Sequence, residues 1–230
     1  MKSIKIYALA LGLLAVFAGC QNDVVKPLEN DKEAPAPVRD VTYTKMSGSV
    51  LLTYTLPSDP DLLYVAASYT NKAGKKYEFK ASYFTNTLLV EGFGDTDTYS
   101  LDVYAVDRSE NYSEPVNIQV AADTPPVQAA YETLEVQPDF GGMTFSFDNA
   151  SKADLTVYVS TPNADNEMVN AETFYTGLAK ATFSVRGFLD VPRDFEICFE
   201  DKWGNRSPVK KENLTPIYEA ELDKKKFKEV

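Results

Sequence analysis

Leu101-Asp-Val-Tyr-Ala-Val-Asp107-Arg-Ser-Glu-Asn111-Tyr-Ser113 and Phe195-Glu-Ile-Cys-Phe-Glu-Asp201-Lys-Trp-Gly-Asn205-Arg-Ser207 follow one pattern, offset by 94 residues. In each, apolar residues at every second position run into Asp, then a short turn, Asn and Ser, with a proline just beyond (Pro115, Pro208). Period-two alternation marks a half-buried strand. Asp and Asn side chains bond turn backbone and tolerate left-handed conformations. Proline past the turn limits edge pairing. The reading is a hairpin near the end of each of two similar β units.

Outward from the first copy, Val50, Leu52, Tyr54 and Leu56 alternate with Leu51, Thr53 and Thr55 until Pro57-Ser-Asp-Pro60 stops them. Tyr64 to Thr70 is β-prone and ends at the turn Asn71-Lys-Ala-Gly74. Lys76 to Ser82, Leu88 to Val90 and Val116 to Val120 supply further strands, with Gly92-Phe-Gly94 as a joint. About seven short strands in roughly 85 residues suit an immunoglobulin-like sandwich. Ala121 to Pro126 (AADTPP) reads as a hinge, since its prolines cannot extend a central strand. Strand-like segments resume at Leu134–Val136, Met143–Phe147, Asp154–Val159, Thr182–Val185 and Phe195–Phe199. The expected fold is all-β, two tandem sandwiches, with no helical stripe anywhere.

The N-terminus carries a different message. Lys2 and Lys5 precede an apolar run, Ile6 to Phe17, too short to span a bilayer. Ala18-Gly19-Cys20 follows, with small residues where a peptidase would cut. A Cys directly after the cut is a bacterial lipoprotein signature, so residues 1–19 are expected to leave and Cys20 to be acylated. Two or three acyl chains together anchor stably. Residues 20–37, with Asp23 near the Cys and several prolines, read as a tether. Loss of Lys2 and Lys5 takes the formal charge from -11 to -13. Nucleic acid is therefore no expected partner, because binding it needs a basic patch.

The chain has no His, which removes Ser-His and Cys-His nucleophiles, His-ligated zinc and imidazole bases. No enzyme is expected, and no cofactor. Cys198, in an alternating strand, reads as a small buried apolar residue. Three aromatic side chains are candidate ligand contacts: Trp203, the only Trp, together with Tyr83 and Tyr175 from the pairs Tyr83-Phe84 and Phe174-Tyr175. In a strand one member of each pair faces outward. Trp203 on a turn could stack on a sugar ring, but packing over its own hairpin or the neighbouring domain is the favoured reading. Asp59, Asp61, Asp95 and Asp97 are oxygen donors of the kind Ca²⁺ takes. Turn capping is the favoured role, and no metal site is assigned. Asp139-Phe-Gly-Gly142 lacks every other kinase element. The four Asn-x-Ser/Thr triplets read as polar turns.

Pro57-Ser-Asp-Pro-Asp-Leu-Leu-Tyr-Val65, Val90-Glu-Gly-Phe-Gly-Asp95, Tyr104-Ala-Val-Asp-Arg-Ser-Glu-Asn111, Pro138-Asp-Phe-Gly-Gly142, Ser184-Val-Arg-Gly-Phe188 and Asp201-Lys-Trp-Gly-Asn205 occur in this order. The hairpins resemble the closing hairpin of fibronectin type III domains. The whole set resembles a family of Bacteroidetes outer-membrane lipoproteins with tandem fibronectin type III/immunoglobulin-like domains of unknown function. The resemblance implies a first sandwich over 38–122, a second over 123–216, and association with Sus-like glycan utilisation systems. It also implies a discoidin-like domain after the second sandwich; residues 217–230 are expected to be a linker toward such a domain, which this sequence does not contain. The implied function is that of a non-catalytic surface lipoprotein on the outer membrane, accessory to polysaccharide binding and uptake beside a TonB-dependent transporter. The alternative is a structural spacer with no ligand site of its own.

Overall fold

The computed structural model describes residues 31–218. The signal segment, Cys20, most of the tether and the segment after Tyr218 lie outside the described residues. The first unit holds seven strands: β1 (Arg39–Met46), β2 (Ser49–Thr55), β3 (Leu62–Thr70), β4 (Lys76–Ser82), β5 (Thr87–Glu91), β6 (Thr98–Asp107) and β7 (Val116–Ala121). A short helix, α1 (Pro126–Glu132), follows. The second unit holds β8 (Glu135–Asp139), β9 (Gly142–Asp148), β10 (Leu155–Pro162), β11 (Met168–Thr176), β12 (Lys180–Arg186), β13 (Arg193–Asp201) and β14 (Lys210–Leu214).

The two units share one topology. In the first, sheet β1-β2-β5 faces sheet β4-β3-β6-β7; in the second, β8-β9-β12 faces β11-β10-β13-β14. Every strand pairing is antiparallel. Three strands against four, in this order, is the fibronectin type III arrangement, and the chain is two tandem all-β sandwiches. Alternation sends one face of each strand inward. Val50, Leu52 and Tyr54 meet Leu101, Val103 and Ala105 in the first core. Phe145 and Phe147 meet Phe195, Ile197 and Phe199 in the second.

Two features differ from the sequence reading. The segment read as a hinge leads into α1, which opens with Pro126 in its first turn, where a missing N–H costs nothing. Only Val127 and Ala130 of this helix are buried, three residues apart and too few to register as a stripe. Cys198 is half-buried rather than buried, because Phe195, Ile197 and Phe199 take the core face of β13 and the pleat turns Cys198 to the other.

Candidate functional site: the joint between the sandwiches

The two repeats of the opening pattern become two equivalent hairpins. Asp107, wholly buried, accepts hydrogen bonds at Oδ1 from the main-chain N–H of Ser109 and Asn111, both at 2.8 Å, and at Oδ2 from Asn111 Nδ2 (2.8 Å). Asp201 does the same with the N–H groups of Trp203 and Asn205, both at 2.9 Å, and with Asn205 Nδ2 (2.9 Å). Ser113 Oγ and Ser207 Oγ each accept from a strand N–H, of Ala105 and Phe199, at 3.0 Å. The aspartate thus acts as a surrogate for backbone carbonyls inside the turn.

The second hairpin docks onto the first sandwich. The Trp203 indole meets the rings of Tyr77 and Phe79 in T-shaped contacts, each at 5.5 Å between centroids. Its ring lies against Gly92, where a Cβ would come within 3.1 Å of Trp203 Cδ2. Gly92 also holds φ at +89°, a conformation open to glycine and strained for other residues. Tyr77 OH donates to the Trp203 carbonyl (3.4 Å), Asn205 Nδ2 donates to the Gly92 carbonyl (3.3 Å), and Lys202 Nζ pairs with Glu91 (3.1 Å). The Lys202 ammonium also sits 5.1 Å from the Trp203 ring centroid.

A second set of contacts fixes the connecting chain. Asp123 N–H donates to the Met46 carbonyl (3.0 Å), and Gly48 N–H donates to the Asp123 carbonyl (3.1 Å). Ser47 Oγ donates to the Thr124 carbonyl (2.8 Å). The segment read as a hinge is therefore stitched to the β1–β2 turn. Between the two sets of contacts lies a groove of ≈ 590 Å³, walled by that turn, Glu91, Pro126, the Ser151–Asp154 loop and Asp201 to Trp203. The residues lining it include the acids Glu91, Asp154 and Asp201 and the cations Lys152 and Lys202.

The three aromatic candidates fall in different surroundings. Trp203 lines the groove while serving the joint. Tyr175, 76% exposed on β11, borders a shallower depression that shares Asp154 and Lys202 with the groove. Phe174 beside it packs on the second core. Tyr83 is elsewhere: it follows β4 by one residue, six residues beyond Tyr77, or about 20 Å along an extended strand. It packs against the first core, and its ring meets that of Phe84 in a tilted contact at 4.1 Å between centroids; Phe84 is the exposed member of that pair. The structure brings Trp203 and Tyr175 to one neighbourhood and leaves Tyr83 out.

The four acids grouped in the sequence also separate. Asp95 and Asp97 both engage Lys72, and Asp95 accepts from Tyr99 OH (3.0 Å). Burial raises the Asp95 carboxyl, but Lys72, the Asp97 N–H and Tyr99 outweigh it and hold it below the ordinary range. Asp61 instead meets Asp107 and Asp31, with one oxygen of each within 4.8 Å of the others. The Asp59 carboxyl beside it pushes Asp61 up to about 6. Burial and the charges of Asp59, Asp31 and Asp107 add to the rise.

Residues 35–122 match the family model described as Domain of unknown function (DUF4959), and residues 123–225 match Domain of unknown function (DUF5126). No curated protein matches the chain. Among solved structures, the SusE-like protein BT2857 is 34% identical over 43% of this chain and 34% of its own, with a TM-score of 0.37. The chain thus spans about a third of the length of that relative. A two-domain fibronectin type III segment of chicken tenascin is 15% identical, covering 78% of this chain and 99% of its own at TM-score 0.36. The first three fibronectin domains of chicken contactin (CNTN1) are 9% identical, covering 80% and 68% at 0.37.

Proposed function

We propose that this chain is a non-catalytic lipoprotein of the outer cell surface, held by acylated Cys20 and accessory to glycan capture and uptake in a Sus-type system. Its two sandwiches act as a rigid arm that sets the height and orientation of a glycan-handling assembly beside a TonB-dependent transporter. The observation that carries the arm is the joint: Trp203, Asn205 and Lys202 on one side and Asp123–Thr124 on the other tie the sandwiches at two separate places. The lipoprotein and glycan parts rest on the Lys2–Cys20 pattern and on the family resemblance of the sequence. Tethering raises the local concentration of whatever the assembly handles. Among the described residues no helix is long and apolar enough to cross a membrane. The test is to express the full chain in a host with a Sus-type system and purify the outer membrane. The expected result is a lipidated chain that co-purifies with a TonB-dependent transporter, with Cys20→Ala releasing it. A Cys20→Ala chain that stays in the membrane fraction, or a wild-type chain that never meets a transporter, would sink the proposal.

A second reading, direct glycan contact, is favoured by one observation: Tyr175 is exposed beside Asp154 and Lys202, at the edge of the groove that Trp203 lines. An exposed ring flanked by polar groups suits the apolar face and hydroxyls of a sugar. A polysaccharide array probed with the full chain separates the readings. Binding lost in Tyr175→Ala supports contact, and an empty array leaves the arm alone.

A further inference from the structure

We propose that residues 219–230 fold back over the far end of the second sandwich and cover an apolar face there. That face is built like the seat of the joint. In the first sandwich Gly48 N–H donates to the Asp123 carbonyl (3.1 Å), Asp123 N–H to the Met46 carbonyl (3.0 Å) and Phe93 N–H to the Gly48 carbonyl (3.1 Å). In the second, Gly141 N–H donates to the Ile217 carbonyl, Ile217 N–H to the Asp139 carbonyl and Phe188 N–H to the Gly141 carbonyl, all at 2.9 Å. Parallel bridges Ser47↔Asp123 and Phe140↔Ile217 complete the match. The first of these ends is the one on which the Trp203 hairpin docks.

The side chains at matched positions differ. Phe140 stands where Ser47 does, Ile217 where Asp123 does and Tyr218 where Thr124 does. Phe140, Leu189, Val191, Ile217 and Tyr218 are all exposed, Leu189 at 77%. The three backbone bonds bring the segments that carry them together, so they form one patch. Exposed apolar residues scattered singly need no explanation, but a contiguous patch marks an interaction surface.

One residue decides against a second hairpin as the occupant. Gly92-Phe-Gly94 in the first seat aligns with Gly187-Phe-Leu189 in the second. A Cβ on Gly94 would lie 2.6 Å from Asn205 Oδ1, so a docked Asp-x-x-x-Asn turn needs glycine there. Leu189 excludes a turn of that kind and calls for an apolar segment instead. The chain supplies one. The described residues end at Tyr218, on the patch itself, and residues 219–230, outside the described residues, continue from it. Leu222 and Phe227 are the large apolar side chains of that mostly charged stretch before its last residue. Leu222 lies five residues past Ile217, a reach of up to about 17 Å. The extents of the two family matches agree. The first stops at Ala122, just before Asp123, whereas the second runs on past Ile217 to residue 225. The second module thus includes residues beyond its seat that the first module lacks. A segment tethered at the patch has an effective concentration on the order of millimolar, so a few apolar contacts suffice.

The test is nuclear Overhauser spectroscopy of the full chain, methyl-labelled and diluted into unlabelled chain. The expected result is cross-peaks from Leu222 to the Leu189 and Val191 methyls within one chain. Leu222→Asp should abolish them and raise the fluorescence of a dye that reports exposed apolar surface. Leu178→Asp, at an exposed position in the β11–β12 loop away from this face, should change neither. A wild-type spectrum with no contact between residues 219–230 and the patch would overturn the proposal and leave 217–230 a linker. Cross-peaks found only between labelled and unlabelled chains would overturn it in favour of a second copy as the cover. So would a Leu222→Asp chain that keeps the dye signal of the wild type.

Discussion

The hairpins Asp107–Ser113 and Asp201–Ser207 have the same internal bonds and opposite outward lives. Each aspartate collects two turn N–H groups and one Asn amide, and each Asn then reaches out to what precedes its sandwich. Asn205 finds the Gly92 carbonyl of the first sandwich; Asn111 finds Asp31 and Glu33 of the incoming chain. Of the four positions at which the two turns differ, the one two places past the aspartate meets the partner in both. Trp203 there offers a large apolar surface to Tyr77 and Phe79, whereas Ser109 offers a hydroxyl that accepts from the Asp31 N–H at 3.2 Å. The same turn therefore makes an apolar joint at one end of the first sandwich and an acidic, polar one at the other. A fold can hold the bonds of its docking turn constant while the exposed residues of that turn set the partner.

Replacing either aspartate strikes the shared part of the comparison and should have the largest effect. Asp107→Ala leaves the turn N–H groups of Ser109 and Asn111 without their acceptor at a wholly buried position, and is expected to cost about 3 kcal/mol; Asp201→Ala, at a half-buried position, about 2 kcal/mol. Denaturant unfolding of the two variants should rank them in that order, and equal losses would show that burial does not distinguish the hairpins. Trp203→Ala tests what differs. A half-buried Trp removes roughly half of its 150–250 Å² from water, so the joint should weaken by about 2 kcal/mol. Differential scanning calorimetry should then resolve two transitions where the wild type shows one, and an unchanged single transition would say that Asp123–Thr124 suffices.

Smaller effects sharpen the picture. Asp95 is held below its usual range, so its contribution is present above the unfolded carboxyl value of about 3.9 and is lost as pH falls through the folded value. Solvent screening keeps it under about 1 kcal/mol. Melting midpoints of Asp95→Asn should fall less than wild type between about pH 5 and 3; a parallel fall would remove Lys72–Asp95 from the account. Lys202→Met should cost least, about 0.5 kcal/mol, because its pair with Glu91 is exposed. That small loss should vanish in high salt when wild type and variant melts are compared.

Much of this architecture was legible in the residues, and the illegible parts have physical reasons. Strands with one buried face declare themselves by alternation, as β2, β6 and β13 do. β11 does not: it is an edge strand, and from Met168 to Glu172 both of its faces are exposed. β1 and β14 are edge strands too, and equally quiet in pattern. The hairpin repeat was visible because Asp, Asn and Ser do the same local work twice. Its partners were not, because nothing near Trp203 in the chain says that Gly92 and Tyr77 await it. Tyr175 emerged as exposed, as an adjacent aromatic pair in a strand requires, while Tyr83 sits just past β4, where that rule does not operate.

The central claim is that the Trp203 joint makes the sandwiches one body. Residual dipolar couplings of the backbone amides, measured for both sandwiches in one aligned sample, address it directly. The joint predicts a single alignment tensor for residues 39–121 and 135–214, splitting into two in Trp203→Ala. Two independent tensors in the wild-type chain would contradict the account.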